Sequence, residues 1–160
     1  MFSTLSRTWT AVLFDIEGTI LDTTPGAPVA VVPGIEGVLQ SLAEQGIPLA
    51  IATIKTESEA LELLEQSGLR QYFSVISAND AGESSKEAII AHALTELEAN
   101  GADLSMPVLV GDRIHDVDGA SANGIPSIIV EWGHGSPDEA GDAIATVFSA
   151  DKLRELLLGN

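Results

Sequence analysis

The stretch Phe14-Asp15-Ile16-Glu17-Gly18-Thr19-Ile20-Leu21-Asp22 carries an aspartate off a wholly apolar run, straight into a glycine turn and further acidic residues. A carboxylate delivered there can act as a phosphate-accepting nucleophile. Four more positions suit the same chemistry. Thr53 closes the apolar run Leu49-Ala50-Ile51-Ala52, Lys86 opens a segment of helical period, Asp112 follows Leu109-Val110-Gly111, and Asp116 comes shortly after it. Carboxylates, a hydroxyl and an ammonium gathered at one edge form a plausible Mg²⁺ and phosphate site, because Mg²⁺ takes oxygen ligands, usually one or two carboxylates with substrate phosphate and water. Asp15 and Asp112 can supply these, with Asp116 close behind.

Each signal also has a plain structural reading. Asp-x-Glu-Gly-Thr alone is a turn with a helix cap, and Gly111-Asp112 followed by Asp116 is likewise a capping pattern. Thr53 alone is a strand-end hydroxyl satisfying backbone, and Lys86 alone a solvated helix residue. His92 reads as a surface or half-buried helix residue, Asp118 as a first-turn helix carboxylate, and Arg113, beside His115, as one half of an exposed salt bridge. Trp132 and His134 follow the last apolar run, where active-site loops tend to gather. Order and placement together raise the functional reading above the structural one.

The elements that must position these residues are legible as an alternation. Five short, continuously apolar runs, at residues 11–14, 49–52, 73–76, 108–110 and 127–130, suit strands buried on both faces, as parallel sheets require. Between them lie helical stripes: Val38, Leu39, Leu42 and Ala43 up to Gly46; Leu61, Leu64 and Leu69 about Gly68; and Ile89, Ile90, Ala93, Leu94 and Leu97. Leu153, Leu156, Leu157 and Leu158 form a closing helix with Asp151 near its start, where the macrodipole favours an acid. The pattern predicts an α/β fold, a three-layer doubly wound parallel sheet of about five strands, as one domain over residues 1–160. The Pro- and Gly-rich residues 23–34 read as a loop or small hairpin. In such a sheet ligands sit beyond the carboxyl ends of the strands, where Asp15, Thr53 and Asp112 fall.

Composition narrows the classes. Apolar residues make up 45% and charged residues 19%, a globular composition with no apolar run long enough to cross a bilayer. Seven basic against 24 acidic residues give a formal net charge of -17, which argues against nucleic acid as a partner. The same field repels small anions unless a cation or local donors reverse it. There is no cysteine, which excludes disulfides and thiolate chemistry, and residues 1–10 lack the apolar core of a signal peptide. A cytoplasmic protein with no membrane partner is expected.

These ordered motifs resemble the haloacid dehalogenase superfamily, specifically its phosphoglycolate-phosphatase-like branch. That family's first motif, an apolar strand ending Asp-x-Asp-Gly-Thr-Leu-x-Asp, is matched by residues 15–22 except at Glu17. Its second, an apolar strand ending in Thr or Ser, is matched at Thr53, followed by Ile54 and Lys55. Its third, a lysine opening a helix, resembles Lys86, with Glu87 where a proline commonly follows; its fourth resembles Gly111, Asp112 and Asp116. Residues 131–137, Glu-Trp-Gly-His-Gly-Ser-Pro, are similar to the branch's late loop.

The resemblance implies a Mg²⁺-dependent phosphatase in which Asp15 attacks phosphorus and the aspartyl-phosphate is then hydrolysed. Mg²⁺ would be held by Asp15, the backbone carbonyl of Glu17 and Asp112, with Asp116 orienting metal waters or Lys86. Thr53, Ile54 and Lys86 would bind the phosphate. The family's second aspartate protonates the leaving oxygen and later activates water; here that role falls to Glu17, one methylene longer, so turnover is expected to be slow unless this backbone seats the glutamate productively. A phosphate-binding or phosphoprotein-binding regulatory module of weak or no turnover is the other class. A dehalogenase fits less well, because Gly111-Asp112 and Asp116 have no work in that chemistry.

Relatives in this branch carry a helical cap over the site. Only ten residues, 23–32, separate Asp22 from Pro33, whereas two average helices and a turn need roughly 25. An open, capless site is expected, suited to a phosphorylated small molecule or macromolecule, or to a homo-oligomer in which a second subunit covers it.

Overall fold

The computed structural model describes residues 9–80 and 85–159; the stretch read for a leader lies outside the described residues up to residue 8. Six parallel strands form one sheet in the order β5-β4-β1-β6-β7-β8. They are β1 (Ala11–Phe14), β4 (Leu49–Ala52), β5 (Val75–Ser77), β6 (Pro107–Gly111), β7 (Ser127–Val130) and β8 (Ala145–Val147). A separate antiparallel pair, β2 (Leu21–Asp22) and β3 (Ala30–Val31), makes a small hairpin that begins two residues before the anticipated 23–34. Helices α1 (Ile35–Glu44), α2 (Glu57–Ser67), α3 (Lys86–Ala99), α4 (Ile114–Ala122) and α5 (Ala150–Leu158) connect or close the strands.

The central strands read as unbroken apolar runs because both faces are covered. Side chains alternate across a strand, so Val12 and Phe14 of β1 join the core under α1, α2 and α5, while Ala11 and Leu13 join the core under α3 and α4. The result is the expected three-layer α/β arrangement. Helix α1 shows how the stripe works: Ile35, Val38, Leu39 and Leu42 are buried while Glu36, Gln40 and Glu44 face out. Each such fully buried side chain contributes about 1.5–3 kcal/mol of transfer free energy, and Leu39→Ala would cost about 2–5 kcal/mol. Helix α2 stops where Gly68 turns left-handed at φ 77° after a Thr56–Glu59 capping box.

Three details differ from the expectation. The sheet has a sixth strand, β8, which the five apolar runs did not include. Ala145-Thr146-Val147 is a three-residue edge strand, one residue of it exposed, so it never shows the double-sided hydrophobicity that marks a central strand. The third run is also displaced: Phe73 precedes β5, following a 3-10 turn at Arg70–Tyr72, and packs edge-on against Phe14 with ring centroids 6.2 Å apart. Asp118 lies in the second turn of α4, and the first-turn carboxylate is Asp116.

From β1 the chain moves out through β4 to β5, then returns to the other side of β1 and moves out through β6, β7 and β8. The direction reverses between β1 and β6, and at such a switch point the flanking loops part to leave a crevice. Asp15 leaves β1 and Asp112 leaves β6, so the fold places the two carboxylates on either side of it. Among the described residues the only structure between β1 and α1 is the β2–β3 hairpin, and no helical cap is present.

Candidate active site

Asp15 is 7% exposed. Its backbone is tied to β6 by a hydrogen bond from its N–H to the Val110 carbonyl, 3.1 Å, and its Oδ1 accepts the Ile16 N–H at 2.8 Å. Oδ2 is turned toward His115, whose Nε2 lies 4.0 Å away. Gly18 then adopts φ 77°, which a side chain rarely tolerates, and donates its N–H to the Leu21 carbonyl at 2.8 Å, turning the chain back over the site.

Lys86 sits behind Asp15, sequestered from water. Its Nζ donates to the Ala52 carbonyl at 2.6 Å and lies 2.9 Å from Asp116 Oδ1 and 3.4 Å from Asp15 Oδ1. Buried ammonium groups demand this kind of enclosure. Burial works against its charge, but Asp15 and Asp116 outweigh that and hold its pKa above the ordinary lysine value. Asp116, fully buried, spends its other oxygen on two α4 N-terminal donors, Asp112 N–H at 3.1 Å and Arg113 N–H at 3.2 Å. That leaves Asp116 as the brace joining Lys86 to the turn that carries Asp112.

Asp112 is clamped from the opposite side by the late loop. His134 N–H donates to Asp112 Oδ2 at 2.8 Å, and Trp132 Nε1 donates to the Thr19 carbonyl at 3.0 Å. A methyl group on Gly18, Gly133 or Gly135 would collide with Asp112. The glycines of this loop are therefore a matter of close approach. Thr53, 1% exposed, ends β4 beside β1 with its N–H on the Ser77 carbonyl, 3.0 Å, and its Oγ1 accepting the Lys55 N–H at 3.1 Å.

Electrostatically the site is a cluster of carboxylates with too little compensation. Burial pushes Asp15 up to about 8, helped by Asp116 and Asp112 and opposed by Lys86; burial likewise raises Asp112, against the His134 N–H. Ionised together, these groups call for positive charge. Asp15, His115 and Asp116 present ligand atoms within 4.8 Å of one another. The carboxylates of Asp15 and Asp112, which flank the crevice, are oxygen donors of the kind a hard divalent cation takes.

The structure brings the sequence-derived residues together. Asp15, Glu17, Thr53, Ile54 and Asp112 line one pocket of about 130 Å³, with Lys86 and Asp116 immediately behind it. His115, Arg113 and His134 line it too. His92 is exposed on α3. Arg113 makes its salt bridge, with Glu139 at 3.0 Å. Sequence reasoning missed two partners. Lys55, directly after Thr53-Ile54, pairs with Glu17 Oε2 at 3.1 Å, and Glu139 also caps α4 by accepting the Ile114 N–H at 2.9 Å. Adjacency to Thr53 was the available signal for Lys55; nothing local marks Glu139.

Comparison with known proteins follows the same lines. The family model described as haloacid dehalogenase-like hydrolase matches residues 27–130. A Mycobacterium tuberculosis protein named tyrosine-protein kinase PtkA is 41% identical over 130 residues, 78% of this chain and 44% of its own length. A phosphoglycolate phosphatase from Agrobacterium fabrum is 39% identical over 102 residues, 64% of this chain and 43% of its own. The chain thus spans less than half the length of these curated relatives. The crystal structure of a protein described as a predicted phosphatase, from Clostridium acetobutylicum, superposes with a TM-score of 0.84 at 25% identity, covering 96% of this chain and 100% of that one.

Proposed function

The chain belongs to the haloacid dehalogenase-like hydrolases, and on that footing we propose that it is a Mg²⁺-dependent phosphatase of phosphate monoesters, with Asp15 as nucleophile. The observation that carries this reading is the pairing of a buried carboxylate, Asp15, with a buried ammonium, Lys86, at a sheet switch point faced by Asp112. The charge distribution supports it. Of seven Lys and Arg residues in a chain of net charge -17, Lys55, Lys86 and Arg113 stand at this one site. These cations offset part of the local carboxylate charge, and a bound divalent cation would offset more of it.

In the proposed reaction Asp15 Oδ2 forms a bond to phosphorus as the bond to the leaving oxygen breaks, and Glu17 gives that oxygen a proton. Water then attacks the aspartyl-phosphate, Glu17 takes its proton, and inorganic phosphate leaves. Lys86, Thr53 Oγ1 and the backbone at Ile54 hold the phosphoryl oxygens, which is most of what phosphoryl transfer requires. Asp15, Asp112 and the Glu17 carbonyl would hold Mg²⁺, with Asp116 steadying the turn. When bound, the cation neutralises the carboxylates and screens one anion from the other. The open site, with Ile54 52% exposed at its edge, suits a substrate whose bulk remains outside.

The test is phosphate release from a panel of alkyl, aryl and acyl phosphates with Mg²⁺, with chelator and with Asp15→Asn. Metal-dependent release abolished by the substitution supports the enzyme. One observation favours the second reading, a phosphate-binding or phosphoprotein-binding module of weak turnover: the Glu17 carboxylate is engaged by Lys55. No release from any substrate, alongside Mg²⁺-dependent binding of inorganic phosphate, would decide for that module.

A further inference from the structure

Glu17 is anchored at both ends. Its backbone forms a bridge with Leu21, and its carboxylate meets the Lys55 ammonium at 3.1 Å. Lys55 is itself held on both sides, its N–H on Thr53 Oγ1 at 3.1 Å and its carbonyl accepting the Asn79 N–H at 2.8 Å. The ammonium is therefore launched from backbone tied directly to the hydroxyl assigned to phosphate. The two side chains are 25% and 40% exposed, for Lys55 and Glu17 respectively. A pair that wet contributes only about 0–1 kcal/mol to stability. Its effect on placement is larger, because an error of roughly 1 Å in a reacting group costs about 10²-fold in rate.

We propose that Lys55 is a positioning residue for Glu17: it holds the longer acidic side chain at the mouth of the pocket, where the leaving oxygen of a phosphate monoester departs. The inference rests on the phosphatase reading above. The ammonium beside Asp15 is that of Lys86, whereas that of Lys55 is directed to Glu17. The pair supplies a reason for glutamate at this position. A carboxylate one methylene longer reaches a cation that also fixes where it stops.

The experiment compares Lys55→Met, Lys55→Arg, Glu17→Gln and the double variant Lys55→Met/Glu17→Gln, measuring kcat and KM on an alkyl phosphate and the affinity for inorganic phosphate with Mg²⁺. Lys55→Met is expected to lower kcat about tenfold with phosphate affinity held within about twofold, and Lys55→Arg to recover most of the loss. The double variant should turn over no slower than Glu17→Gln alone, since residues acting as a unit are non-additive. Losses that multiply, or a collapse of phosphate affinity in Lys55→Met, would overturn the proposal, the latter by making Lys55 a direct phosphate ligand. If the unaltered protein releases no phosphate, it is the phosphatase reading that fails. The pairing is then read without turnover, by ¹³C-dimethylation of the chain's three lysines. The Lys55 resonance, assigned by its loss in Lys55→Arg, shifts in Glu17→Gln if the pair exists and stays put if it does not.

Discussion

Gly18 stands directly over Asp112, so close that any side chain on Gly18 would run into Asp112 Oδ2. Its φ of 77° independently disfavours every residue with a Cβ. Gly18→Ala is thus expected to cost about 1–2 kcal/mol from the backbone alone and to displace the Asp112 carboxylate proposed to hold Mg²⁺ as well. Gly26→Ala is the control: φ is 86° but nothing lies within 4 Å of an added Cβ. Thermal melts with and without Mg²⁺ should show both variants destabilised, and only Gly18→Ala losing the stabilisation that Mg²⁺ confers. Equal Mg²⁺ responses in the two would remove the steric argument.

Asp116 joins Lys86 to the turn that opens α4. Asp116→Ala removes one of the two carboxylates facing the buried ammonium, which keeps Asp15 and the Ala52 carbonyl, and unpairs two backbone N–H groups, so urea denaturation should register a loss of about 1–3 kcal/mol. A loss under about 1 kcal/mol would mean that Lys86 finds another anion or sheds its charge.

Shortening Glu17 separates the acid from its cation. Glu17→Asp restores the spacing of the family's first motif but draws the carboxylate away from Lys55, so it is expected to lower hydrolysis of alkyl phosphates more than that of aryl or acyl phosphates, whose leaving groups need less protonation. Rate ratios across such a series are the measurement, and uniform changes across it would show that the glutamate does not serve proton transfer to the leaving group.

Glu139 accepts the Ile114 N–H and the Arg113 guanidinium, which hold its carboxyl down from 4.5 to about 2. Because the folded-state value is depressed, the stability it contributes is present above 4.5 and is lost as pH falls from 4.5 toward about 2. Glu139→Gln should therefore lower the melting temperature most near neutral pH, and the two melting curves should converge through that acidic window. A difference that persists unchanged to the bottom of the window would assign the effect to packing.

What could be read from the chain alone follows burial. β1, β4, β6 and β7 are apolar on both faces and announce themselves, and so do Asp15, Thr53 and Asp112, because each ends such a run. β8 escapes because half-exposed edge strands need no continuous hydrophobicity. Lys55 escapes for a different reason: an ion pair made across a pocket mouth depends on two backbones being brought together, and neither side's local pattern encodes the other. The clamp on Asp112 is legible only as a Gly-rich loop; that Gly133 leaves room for the Asp112 side chain and Gly135 for its backbone carbonyl is a tertiary fact. Glu139 belongs with these, as a cap supplied from beyond β7 to a helix that begins at Ile114.

The hairpin between β1 and α1 has a use of its own. Asp22 and Ala30 are register partners, so the intervening residues 23–29 leave and re-enter the fold side by side, and they lie largely in solvent. Exposed tips with closely spaced ends accept inserted domains most readily. An engineered lid or a fluorescent reporter spliced there would hang beside the pocket while the sheet, the clamp on Asp112 and the buried lysine remain as they are, which makes this chain a socket for building selectivity onto a minimal hydrolase core.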